Sequence, residues 1–267
     1  MDRLLLVSLG PIQDFIASAR RCQDLWFGSW MLSDLARTVA TKIRDAGGNI
    51  LVFPAALGND KIAVANKILA VLGEGGDPGT IAESGRAALQ ARIERLADRA
   101  FRDLRGPAEG DPGFRRNLAY AQLRDLMEYV WVAVPMESGG YADARDRAEA
   151  LLGCRKNTCT WSAVTTGQAG LPKSSLDGLR ESVLTDHLKK LSPERRRVKY
   201  GVKGSEQLCG VGLLKRLGCE VFLESSDDGD LFHDGQRPVF HSTSHMAAGP
   251  LLTRIARRGP DARAALA

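Results

Sequence analysis

The chain has 267 residues, 44% of them apolar, which marks a globular protein with enough material for one large core or two small ones. Its net charge of +5 and pI of about 9.0 are compatible with a polyanionic partner without requiring one. Five cysteines, an odd number, argue against a disulfide framework, and the apolar run Leu4–Val7 after Arg3 is too short for a signal peptide or a membrane span, so a cytoplasmic protein is expected.

Leu4, Leu5, Leu6 and Val7 suit a buried strand, and Gly10-Pro11 turns it into a helix carrying Ile12, Phe15, Ile16 and Ala19 at helical spacing. A second helical stripe, Leu32, Leu35, Ala36, Val39, Ala40 and Ile43, should end at Gly47-Gly48. Ile50–Phe53 and Lys67–Leu72 read as the strands of a hairpin with a long connection through Gly58–Asp60. Leu89, Ile93, Leu96, Ala97, Ala100 and Leu104 mark a long helix, a further helix runs from Asn117 into Met127, and Tyr129–Val134 is a strand. The order β-α-β-β-α-β predicts an α+β, ferredoxin-like sheet, an arrangement shared by polymerase palms, nucleotidyl cyclases and RNA-binding modules.

After a helix at about 141–152 the texture changes to Gly, Ser, Thr and Pro between Gly153 and Pro172. A boundary is expected there, giving one domain over 1–152 and a helical, loop-rich extension over 153–267. Within the extension, Leu179, Val183, Leu184, His187, Leu188 and Leu191 follow helical spacing. Leu208–Leu217 forms another helix, with Gly218 placed as its C-terminal cap.

The segments GPIQDFI and DLWFGSWMLSDL, together with Lys156-Asn157, Leu171–Ser182, Glu206-x-Leu208-Cys209 with Lys215-Arg216, and FHSTSHMAAGP, resemble the large subunit of type III CRISPR effector complexes, in particular its Cmr (III-B) branch. That resemblance implies a palm of the polymerase/cyclase kind, here the degenerate first of two. In such a subunit, paired ATP molecules lie between the palms, Mg²⁺ is held by the second palm, and cyclic oligoadenylates are made when guide-directed target RNA binds. The implied partners are other Cmr-type subunits, guide RNA and target RNA, and a second palm that is separately encoded or simply absent from these residues; no membrane is implied. A non-catalytic RNA-binding scaffold with the same sheet is the alternative.

Gly28 and Ser29, read as a helix start, are the candidate nucleotide contacts: a small pair there lets a ligand approach the backbone, and the resemblance puts Ser29 near an adenine edge. The plain reading is a helix cap beneath Trp26 and Phe27. Lys173, Ser174, Ser175 and Arg180 are candidate RNA or phosphate contacts at a loop-to-helix junction, or else capping residues and solvated pairs.

Gly75-Gly76-Asp77-Pro78 is rejected as a metal hairpin, because it follows the second hairpin strand and carries one acidic residue before a proline. The loop that does join the strands carries only Asp60. His233-Asp234 reads as a solvated turn, not an HD nuclease. Cys154, Cys159, His241 and His245 have poor zinc spacing, so no metal site is expected, and with neither an acidic metal hairpin nor an HD site no catalysis by the isolated chain is expected. His187 reads as a buried or boundary histidine. Arg195, Arg196, Arg197 and Lys199 form the densest basic run, a solvated face or a phosphate-backbone contact.

Overall fold

The computed structural model describes residues 1–47, 50–55, 57, 63–104, 110–137, 140–159, 170–223, 248–251, 253 and 254. Among these residues, four strands form one sheet: β1 (Arg3–Gly10), β2 (Ile50–Phe53), β3 (Lys67–Leu72) and β4 (Glu128–Pro135), in the order β2-β3-β1-β4, with every neighbouring pair antiparallel. β1 is central, and its side chains are buried on both faces, which is why its sequence is a continuous apolar run and not an alternating one. Leu5, Val7 and Leu9 enter the larger core, while Leu4 and Leu6 face the opposite side.

The larger face is covered by α2 (Cys22–Asp45) and α3 (Pro78–Ala100), with the short α1 (Gln13–Ala17) leading into α2 and α4 (Arg116–Arg124) leading into β4. The smaller face is covered by α5 (Gly140–Thr158), whose Ala144, Ala148 and Leu152 pack on Val130, Val132 and Val134. Lys156, near the end of α5, donates to the buried Ser8 Oγ of β1 at 2.7 Å. The fold is therefore α+β, with a four-stranded antiparallel sheet covered on both faces.

Asp77 opens α3. Its carboxylate accepts from the Thr80 N–H at 2.8 Å and from the Thr80 hydroxyl at 2.7 Å, with Pro78 in the first turn. The Gly75–Pro78 stretch is thus a helix entry after β3, and the capping bonds hold the Asp77 carboxyl below its ordinary range.

The second half corrects several expectations. The spacing from Leu179 to Leu191 does not form a helix. Residues 171–185 are turns and isolated bridges, and only Asp186–Lys190 coils, as a 3₁₀ turn. The apolar residues there are inward-facing points of a looping chain. Val183 and Leu184 are buried because the backbone of Val183 pairs with Arg115 and Leu208.

Two helices follow, α6 (Pro193–Tyr200), capped by Ser192 and closed by Gly201 at φ 66°, and α7 (Gly210–Leu223). Gly218 lies inside α7 and caps nothing; a Cβ there would sit 2.4 Å from Phe27 Cζ. Gly210 is equally confined, its missing Cβ meeting the Ala119 backbone at 2.8 Å where α4 and α7 touch. Because α7 packs on α2, α3 and α4, Val183, Leu184, Tyr200, Leu208, Leu213 and Leu217 share one core with the sheet.

Candidate functional site

Gly28 and Ser29 lie in the second turn of α2, seven and eight residues into the helix, and not at its start; the N-cap is Arg21. Their N–H groups therefore belong to the helix ladder and are not free to bind an anion, which corrects the backbone-approach argument. What fixes this turn is packing from α7. Gly28 is buried, and a Cβ there would meet Lys215 Cδ at 3.1 Å and Phe15 Cε1 at 3.3 Å. Ser29 is exposed.

One helical turn further, the Ser33 hydroxyl accepts from the Val64 N–H at 2.7 Å, and two turns further Arg37 donates to the Leu57 carbonyl at 3.2 Å. Ser29, Ser33 and Arg37 at i, i+4, i+8 share one stripe, so Ser29 stands on the α2 face turned toward the β2–β3 connection. Asp60, on that connection, lies outside the described residues.

Two buried cations on α7 hold this region in place. Arg216 and Asp24 are fully buried, and the guanidinium donates to both Asp24 oxygens at 2.9–3.0 Å. It also donates to Glu206 at 3.0 Å and to the Gly201 carbonyl at 2.7 Å. Burial opposes the Arg216 charge, but the bonds with Glu206 and Asp24 outweigh it and raise its pKa. For Glu206, burial acts upward and the same bonds win, holding it below its ordinary range.

Lys215 donates to the Phe15 carbonyl at 2.7 Å and to the Ser18 carbonyl and hydroxyl, closing the end of α1. Burial pushes its pKa down to about 8, with Asp24 opposing and Arg216 adding to the shift. Between about pH 8 and pH 10.5 the unfolded chain therefore binds a proton that the folded chain has lost. Stability should rise with pH across that window by up to about 3 kcal/mol and be flat in this group below it. Comparing the pH slope of urea unfolding for wild type and Lys215→Met isolates this group; equal slopes would refute it.

The Leu171–Ser182 segment is a tight hairpin, not a loop-to-helix junction. The Ser174 N–H bonds Arg180 O at 2.8 Å, the Ser182 N–H bonds Pro172 O at 2.7 Å, and the Asp177 carboxylate accepts from the Leu179 N–H at 3.0 Å. Lys173 is spent on Glu181 at 2.6 Å and on the Leu179 carbonyl. Ser174 is buried, and the Ser175 hydroxyl accepts from the Gln207 N–H at 2.9 Å. Lys173 and Ser174 thus build the hairpin, and Ser175 ties it to Gln207.

Arg180 differs: its Nε is buried without a partner among the described residues, and the side chain lines a cleft of 860 Å³ with Asp14, Ser18, Arg124, Glu128 and Asp177. This cleft opens where β1 ends and β4 begins, since Gly10 pairs with Glu128. Sequence reasoning placed Lys215-Arg216 only within a block of resemblance. The available signal was two adjacent cations inside the apolar run GVGLLKRLGC.

Cys154 is exposed and Cys159 half-buried; His241, His245 and His233-Asp234 lie outside the described residues. His187 is half-buried on the 3₁₀ turn. No helix among the described residues is long and apolar enough to cross a membrane.

Residues 4–100, which run from β1 through α3, match the family described as CRISPR-associated protein Cmr2, N-terminal. No curated protein matches the chain. Among solved structures, the chain is similar to one in the type III-B Cmr-beta complex bound to cognate target RNA. The identity is 15% and the TM-score 0.60, covering 96% of this chain and 37% of that one. The apo state of Cmr-beta gives 17% identity and a TM-score of 0.56 with the same coverage. A Csm1-Csm4 cassette in complex with one ATP gives 14% identity and a TM-score of 0.32, over 58% of this chain and 18% of that one. The chain therefore spans about a third of the length of the solved Cmr-beta chains it matches.

Proposed function

We propose, from the premise that residues 4–100 form the N-terminal region of a Cmr2-type large subunit, that this chain is the N-terminal portion of that subunit in a type III CRISPR antiviral effector complex. The observation that carries this reading is the joint one: a family signature over β1 to α3, and a likeness in fold to Cmr-beta chains that continues over 96% of the chain. On this reading the sheet with α2 and α3 is the first palm, and residues 153–267 lead toward the zinc-binding and second-palm regions. The partners are other Cmr-type subunits, guide RNA and target RNA. ATP is a substrate shared with a second palm, which supplies Mg²⁺ and the chemistry of cyclic oligoadenylate synthesis; this chain supplies a wall of the pocket and no catalytic group.

Within that wall we assign the nucleotide contact to the Ser29 hydroxyl, with Gly28 holding α2 tight against Lys215 and Phe15 so that the hydroxyl keeps its place. Its exposure and its position toward the β2–β3 connection support this. Of the residues expected to contact phosphate, Arg180 is the one we retain, because its side chain lines the adjoining cleft and its Nε has no partner among the described residues. Ser29→Ala should weaken ATP binding to the assembled complex about 2- to 10-fold, the worth of one neutral hydrogen bond, without changing assembly. Calorimetry giving an unchanged Kd would remove Ser29 from the pocket. A scaffold that binds RNA and no nucleotide is the second reading, favoured by the basic surplus over residues 186–203; absence of any ATP binding by the assembled complex would select it.

A further inference from the structure

Residues 186–203 hold seven lysines and arginines against two acidic residues, a surplus of five in eighteen residues, equal to the net charge of +5 of the whole chain. The fold gathers this stretch into the 3₁₀ turn Asp186–Lys190 and α6. Part of the charge is used internally. Lys199 pairs with the buried Asp111, Arg196 donates to the Gly204 carbonyl at 3.0 Å, and Lys189 pairs with Asp186 at 2.7 Å.

Lys190, Arg195 and Arg197 are exposed, and their side chains have no ion pair or hydrogen bond with the described residues. Beside them runs a groove of 610 Å³ with Pro112, Leu191 and Val198 as its apolar part, His187, Arg195 and Lys199 as its basic groups, and Glu194 and the Lys199-paired Asp111 as its two carboxylates. Val198, flanked by Arg197 and Lys199, is 68% exposed. An isolated surface helix would gain nothing by setting Arg195 and Arg197, which have no partner among the described residues, around an exposed valine, because like charges repel and the apolar surface stays wet.

We infer that α6 and the preceding turn are a docking track for the phosphate backbone of single-stranded RNA, with Lys190, Arg195 and Arg197 contacting phosphates around a base or ribose that rests over Val198 in the groove. The clustering of charge stands on its own; naming the polyanion as RNA rests on the reading above. An eight-residue helix is about 12 Å long, matching roughly three nucleotides of a stacked strand. The contact is sequence-independent, since residues 186–203 carry no exposed aromatic and no side-chain amide to read a base edge.

The test is fluorescence anisotropy of the full chain with a labelled single-stranded RNA across a salt series. The variant Lys190→Ala/Arg195→Ala/Arg197→Ala is compared with a control of equal charge loss elsewhere, Lys42→Ala/Arg44→Ala/Arg102→Ala. The first variant should weaken binding at least tenfold and reduce the slope of log K against log salt by about 2, three phosphates at roughly 0.7 each. The control should change affinity less than threefold, and both should keep the wild-type Tm.

RNA binding that is absent in wild type, unchanged in the first variant, or lost equally in both would overturn the inference. Competition by polyglutamate as effective as by RNA of equal charge would also overturn it and make the track a site for acidic peptide. Carrying the first variant through co-purification with Cmr-type subunits separates the two readings. Failure of the track leaves assembly intact, whereas failure of the family reading abolishes assembly in wild type as well.

Discussion

Arg216→Ala should cost about 3–5 kcal/mol and lower Tm by roughly 10 °C. The reason is asymmetry. The intact pair gains little over an apolar core, because desolvating a guanidinium and a carboxylate offsets their attraction. Removing the guanidinium, however, strips the fully buried Asp24 of its bidentate partner and the Gly201 carbonyl of its donor, and leaves Glu206 with Arg21, at 3.7 Å, as its ion-pair partner. Asp24 sits near the start of α2 and Arg216 in the middle of α7, 192 residues apart in sequence, so the loss falls on the tie that carries α7 onto the sheet domain. The apolar double variant Asp24→Leu/Arg216→Met should recover much of the loss. Urea unfolding checks this: a single-variant cost below about 1 kcal/mol, or a double variant worse than either single, would show that the network is not what joins the two elements.

Phe27→Ala should cost a similar amount, about 3–5 kcal/mol, for a steric reason. The ring is fully buried, its centroid is 5.3 Å from that of Trp30, and it occupies the space that Gly218 leaves on α7. A glycine cannot collapse into the vacated volume, so the cavity stays and the cost lies toward the upper end of the range. The same contact predicts a sign change in the partner position. Gly218→Ala in wild type drives a methyl to within 2.4 Å of Phe27 Cζ and should destabilise, whereas the same substitution in the Phe27→Ala background should stabilise it by partly filling the hole. Additive effects in the double-mutant cycle would refute the contact.

These two contacts show where the sequence was readable and where it was not. β2 and β3 are found at the expected residues, Ile50–Phe53 and Lys67–Leu72, because apolar runs bounded by glycine, proline and asparagine have few other readings. Helix α2 likewise stops where Gly47 permits φ of 118°.

Gly218 was misread because a glycine that ends a helix and a glycine that admits a neighbouring ring look alike in one sequence; only the position of Phe27 separates them. The Leu179–Leu191 stretch was misread because buried residues on a looping chain matched helical spacing, while the bonds that set the loop, such as Ser182 N–H to Pro172 O, leave no periodic trace. Ser29 was placed on the right helix but the wrong turn. An extended Arg21 starts α2 without a side-chain cap, so no capping residue announced the true start. The Asp24–Arg216 pair was not legible at all, since nothing local links residues so far apart.

The central claim, that this chain is a working part of a Cmr-type effector complex, is tested most directly by purifying the tagged chain from its native host, identifying co-purifying proteins by mass spectrometry and sequencing the bound RNA. Recovery with Cmr-type subunits and short guide RNAs is the predicted result, and a separately encoded second palm among them would make the chain one half of a split subunit. A chain that comes down alone and free of RNA would contradict the account, leaving the match over residues 4–100 as a record of ancestry without assembly.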